Sequence, residues 1–261
     1  MRRARVAQFL REGSVVFVTT TIWLAVAILL AWGVLSIWSG MTQPKTLNVA
    51  LLPGTLAASL GRIVALLITG ATLPEPQKNT PGKPPSPAPE PQPKMKVVGP
   101  ILVALIPMLL LGGMLYVVVA RLGGPVVSHV PADPLPKELP ITLAAFWSQI
   151  RGLVTLCEKT LDAVLAAEAS PYRVALFVYL MICLTVRLAP GPGNLKGHLL
   201  AVAAMGGAAI LGGTLTPLIE EKVVALWPLL CLVVAWLMLL LFGSLIAKAV
   251  ITSARSIIKW D

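Results

Sequence analysis

Charge is scarce in this 261-residue chain: only 12% of residues are charged, and just 11 of them are acidic. A soluble domain needs far more polar surface, so composition excludes one. Histidine is scarcer still. The two present, His129 and His198, are far apart and assemble no ligand set or catalytic base pair. Cys157, Cys183 and Cys231 show no C-x-x-C spacing, and an odd count argues against a disulfide framework. They read as small apolar packing residues. No aspartate lies inside an apolar run, which excludes a paired-aspartate intramembrane protease. Gly243-Ser244 is followed by no histidine to serve as a base, and the Gly pairs lack a P-loop lysine, so neither a serine nucleophile nor a nucleotide site is present.

Apolar sequence is what the chain has in abundance. At 57% hydrophobic, with several runs longer than 18 residues, it reads as an all-α polytopic membrane protein. Six spans are expected, at about 15–39, 47–73, 97–120, 172–188, 195–219 and 223–251. Between the third and fourth, residues 143–168 carry Leu143, Phe146, Trp147, Ile150, Leu153, Val154, Leu161, Val164 and Leu165 on one stripe. Ser148, Gln149, Arg151, Glu158, Lys159 and Asp162 form the other, as in an amphipathic interfacial helix. Residues 1–73 therefore form a first pair of spans and 97–261 the remaining four with that helix. Between them, 74–96 is a linker with nine prolines from Pro74 to Pro93, a semi-rigid spacer by composition. The small-residue run Ala203 to Gly213 suits close helix approach.

The net charge of +10 does not mark a nucleic-acid binder, because the basic residues flank apolar runs instead of forming one face. With six spans, Arg2, Arg3, Arg5, Arg11, the linker lysines, Arg187, Lys196, Lys248, Arg255 and Lys259 fall on one side. The positive-inside rule then places both termini in the cytoplasm.

One span needs a separate account. Leu47 to Leu73 carries Arg62 near its middle, where a guanidinium costs about 2.5 to 3.5 kcal/mol on insertion scales. Pro53-Gly54-Thr55, the run from Leu56 to Gly70, and Thr69-Gly70-Ala71 resemble a bacterial branch of the site-2-protease-like membrane zinc metalloproteases. There a Pro-Gly-Thr turn leads into a helix reading H-E-x-x-H. Tyr172 to His198 is similar to that family's later core helix: Phe177, Tyr179 and Leu180 match its lead-in and Pro190 its turn. Gly191 stands for the serine, and Asn194 falls where an aspartate completes the zinc site.

The resemblance implies a degenerate member in a bacterial inner membrane. Its former metal-site positions are Ala58, Ser59, Arg62 and Asn194, and none offers the three ligands and open position that catalytic zinc requires. No metal or other cofactor and no small-molecule substrate is expected. The implied protein is a pseudoenzyme that binds or scaffolds a membrane-protein partner helix within the lipid bilayer. A polar contact between Arg62 and Asn194, within about 4 Å, would replace the metal. The same descent would pack the second, fourth and fifth spans together. The alternatives are a structural subunit of an unrelated membrane assembly, a transporter, and an active metalloprotease. A transporter is disfavoured by the near absence of polar lining, and an active protease by the missing ligands.

Overall fold

In hydrocarbon every backbone amide must be satisfied within its own segment, so long apolar runs fold as helices. The computed structural model describes residues 2–70, 98–130, 135, 140, 142–190, 195–215 and 217–258, and every element among them is an α-helix. These are α1 (Arg2–Met41), α2 (Pro44–Ala50), α3 (Leu52–Ile68), α4 (Val98–Leu122), α5 (Gly124–Val127), α6 (Leu143–Leu165), α7 (Pro171–Val186), α8 (Leu195–Leu215) and α9 (Pro217–Ile258). The proline-rich linker at 74–96 lies outside the described residues.

The expected six crossings are not what helix length gives. Val16–Met41, Val98–Leu122 and Glu221–Ser256 are long and apolar enough to span a bilayer, and α2 with α3 makes a fourth if that bent pair counts as one span. α7, with 16 residues, rises only about 24 Å at 1.5 Å per residue. That falls short of a hydrocarbon core about 30 Å thick. The stretch 47–73, expected as one span kinked at Pro53-Gly54, is two helices meeting at 95°. The break falls at Leu51, and Pro53 sits in the first turn of α3, where its missing N–H costs nothing.

α9 is the axis of the bundle. Every residue from Cys231 to Leu237 is buried, because α1, α6, α7 and α8 surround that stretch. α1 runs in the same direction as α9. A side chain at Gly33 would meet Leu241, and five residues on, the Trp38 indole donates to Ser244 Oγ at 2.6 Å, so the paired positions advance together. α8 runs the other way: Thr21 faces Gly206, and Ile28 clusters with Val202. Gly206 permits this approach, since a Cβ there would lie 2.7 Å from Thr21 Cγ2. Packing between small residues matters here because lipid supplies no hydrophobic drive between helices.

α6 begins at Thr142, whose hydroxyl accepts from the Ala145 amide at 3.1 Å. It has three sectors where two stripes were expected. Gln149, Leu156, Cys157, Thr160 and Ala163 are buried, and the helix packs on α9. Leu143, Phe146, Trp147, Val154, Leu161 and Leu165 are exposed, as are Arg151, Glu158, Lys159 and Asp162. Gln149, expected on the polar face, is instead an inward residue.

Candidate functional site at the bend between α2 and α3

The face that α3 buries is made of Gly54, Ala57, Gly61 and Ala65, continued by Thr69. Their three- and four-residue spacing forms one helical stripe, and their small size lets neighbouring backbones come close. A Cβ at Gly61 would lie 2.6 Å from Pro107 Cα of α4, and one at Gly54 would lie 2.8 Å from the Cys183 carbonyl carbon of α7. The positions singled out by the resemblance are turned away from this stripe. Ala58 is half-buried against the main core, whereas Ser59 and Arg62 are exposed. Asn194, the proposed partner of Arg62, lies outside the described residues. α3 packs on α7, but α8 rests mainly on α1, α4 and α9, so the three spans expected to pack together are joined only in part.

The words that carry the resemblance have local structural causes. Pro53 opens α3, Gly54 meets α7, and the Thr55 hydroxyl donates to Leu51 O at 2.8 Å. At the other end Thr69 Oγ1 donates to Ala65 O at 2.9 Å, and Gly70 adopts φ 62°. A left-handed residue just past the last turn is a common helix stop, and glycine takes that conformation without strain.

The polar cluster the structure does assemble sits beside the bend. A helix end leaves carbonyls without intrahelical donors, and α2 ends beside α7. Side chains of α7 supply the donors: Tyr179 Oη reaches Ala50 O at 3.0 Å and Cys183 Sγ reaches it at 3.7 Å. Arg187, one residue beyond α7, donates from Nη2 to Asn48 Oδ1. Its Nε is buried with no partner among the described residues. This cation sits where α2 and α7 both end, and helix C-termini carry partial negative charge. That placement accounts for a half-buried guanidinium with no ion pair to a described carboxylate.

Sequence reasoning treated Arg187 as a cytoplasmic flank; the structure sets its guanidinium against Asn48 of α2. The usable signal was Asn48, a lone amide in an apolar segment just before Pro53-Gly54.

Chemically the cluster is a fixed cation, an amide, a phenol and a thiol, each committed to backbone or to one another. It contains no nucleophile beside a base. Among the described residues no three His, Cys, Asp or Glu side chains are placed to hold a metal ion. Ser244, weighed as a nucleophile, accepts from Trp38 and donates to Leu240 O. Trp38 is thereby tied to α9. His129 is exposed, its Nδ1 3.0 Å from Pro125 O. No family model, curated protein or solved structure matches this chain.

Proposed function

We propose that this chain is a non-catalytic integral membrane protein that binds or scaffolds another membrane protein through the outward face of α3. The observation that carries this reading is the division of α3 into two faces. Its small residues are spent on α4 and α7, while Leu56, Leu60, Ile63 and Leu67 are between 53% and 75% exposed. Ser59 and Arg62 share that outer surface.

On the site-2-protease-like reading the chain is a pseudoenzyme, and the partner helix takes the place of a substrate helix. A second reading, an architectural subunit of unrelated descent, is favoured by the position of α8, which packs on α1, α4 and α9 and not chiefly on α3. Both readings put the chain in a membrane, on the site-2-protease-like reading a bacterial inner membrane with the N-terminal arginines of α1 in the cytoplasm.

The test is a photoreactive residue at Leu60 or Leu67 in native membranes, with Val117 on α4 as the control exposed position. The expected result is a protein adduct of one discrete mass from α3 that weakens when Arg62→Leu is added. Adducts to lipid alone, or the same adduct from Val117, would remove the proposal. One zinc ion per purified chain would remove its non-catalytic part.

A further inference from the structure

We infer that the chain crosses the bilayer five times, so that the N-terminal end of α1 and the C-terminal end of α9 emerge on opposite faces. The crossings are α1, α2 with α3 as one bent span, α4, α7 and α8 in series, and α9.

The parallel alignment of α1 and α9 is the first support. Gly33 meets Leu241 and Trp38 meets Ser244, while Trp23, Ala27 and Ala31 belong to the same cluster as Cys231 to Leu237. An antiparallel register would instead set Trp23 and Ala27 against residues 245–256, which are exposed throughout. Two helices that span in the same direction are separated by an even number of further reversals, so the total number of crossings is odd.

The helices between them show where the sixth crossing is lost. α7 starts at the end of α4, where Arg173 Nη2 donates to Arg121 O at 2.9 Å, and runs back along α4. α8 runs antiparallel to α1 and joins α9 through the single residue at 216, so it too runs in the returning direction. Both lie along α4, and α7 stops at the bend between α2 and α3, with Cys183 against Gly54. Two successive helices with one direction are separate crossings only if the chain between them recrosses the membrane. Leu188 and Ala189 still bond back to Thr185 and Val186, leaving residues 190–194 for the connection. Five residues reach at most about 16 to 18 Å. The hydrocarbon core is about 30 Å thick, so α7 and α8 share one crossing.

This replaces the expectation that both termini lie in the cytoplasm. The N-terminal arginines of α1 and the lysines of the 74–96 linker keep one common face, because α3 returns to it and α4 leaves from it. By the positive-inside rule that face is cytoplasmic. Lys248 and Arg255, on the exposed end of α9, are on the other.

The test uses the full chain in intact cells, with single cysteines introduced as Gln8→Cys and Ser256→Cys. The three native thiols are buried. A membrane-impermeant maleimide is expected to label the Ser256→Cys protein in intact cells and the Gln8→Cys protein only after permeabilisation. The reverse pattern also supports opposite faces and inverts only the orientation. Labelling of both from the same side overturns the five-crossing reading. Should neither thiol react, alkaline phosphatase and green fluorescent protein fused in turn after Asp261 and before Met1 decide the matter: the same reporter active at both ends overturns it.

Discussion

Replacing Gly54 with alanine should loosen the contact between α3 and α7, and the structure allows the effect to be sized. The new methyl would lie 2.8 Å from the Cys183 carbonyl carbon and 2.9 Å from Arg187 Cγ, against ordinary contacts of 3.4 to 4 Å. The Cys183 carbonyl oxygen is nearer still and the obstructing atoms are largely backbone, so the helices must part by about 1 Å or more unless strain is kept in place. Parting them stretches the Tyr179 to Ala50 hydrogen bond from 3.0 Å toward 4 Å and pulls Asn48 away from Arg187. A neutral hydrogen bond contributes about 0.5 to 1.5 kcal/mol and a charged one about 1.5 to 3, which gives about 2 to 4.5 kcal/mol for the pair. Keeping the helices together instead costs the about 1 to 3 kcal/mol typical of overpacking. Between the two routes the loss is about 1 to 4.5 kcal/mol, or roughly 2 to 18 °C of melting temperature for a chain of this size. Thermal unfolding of the detergent-solubilised variant measures it. The matched control is Gly112→Ala, where nothing lies within 4 Å of the added carbon. A Gly54→Ala protein that melts with that control would refute the close approach and the reasoning built on it.

Gly61→Ala should also destabilise, by about 1 to 3 kcal/mol, because its methyl would strike Pro107 of α4; the same melting assay reads it, and a neutral result would mean α3 and α4 are farther apart than described. Asn48→Leu removes the acceptor of a charged hydrogen bond and should lower stability by about 1.5 to 3 kcal/mol, whereas Asn48→Asp should retain most of it; equal melting of all three proteins would show that the Arg187 contact contributes nothing. Trp38→Phe deletes the donor to Ser244 and should cost about 1 kcal/mol, with the Trp38→Phe, Ser244→Ala double variant losing little more than either single change; full additivity would deny the pair. Burial pushes the Cys157 thiol up to about 11, so it stays protonated and unreactive through neutral pH. Its pKa is raised in the folded state, so the associated stability is intact below the unfolded value and declines as the solution becomes alkaline. Maleimide modification of the native protein at pH 8, scored by mass, should find no label at Cys157 until the chain is denatured.

The helical class was legible because apolar runs of this length have no other stable form in lipid. Span number was less legible: counting runs treats Tyr172–Leu188 and Leu195–Ile219 as two crossings, whereas among the described residues helix length and composition give three spans, or four with the bent α2–α3 pair. The bend was half visible in Pro53-Gly54, but its sharp break at Leu51 depends on Tyr179 and Cys183, which lie more than a hundred residues away. Arg62 drew attention through its charge, and Arg187 escaped it because a cation at a run's end is ordinarily a headgroup contact. Gln149 was placed on the wet side of α6 by side-chain type alone, yet it is buried.

The indole of Trp38 and the hydroxyl of Ser244 are separated by 206 positions along the chain. At about 5 to 20 residues per second, a ribosome needs about 10 to 40 s to synthesise that interval. During all of it the first helix is in the membrane and its principal neighbour does not yet exist. Biogenesis must therefore shelter an unfinished seam between them, whether in the insertion machinery or against a transient companion, until the last segment arrives to seal it.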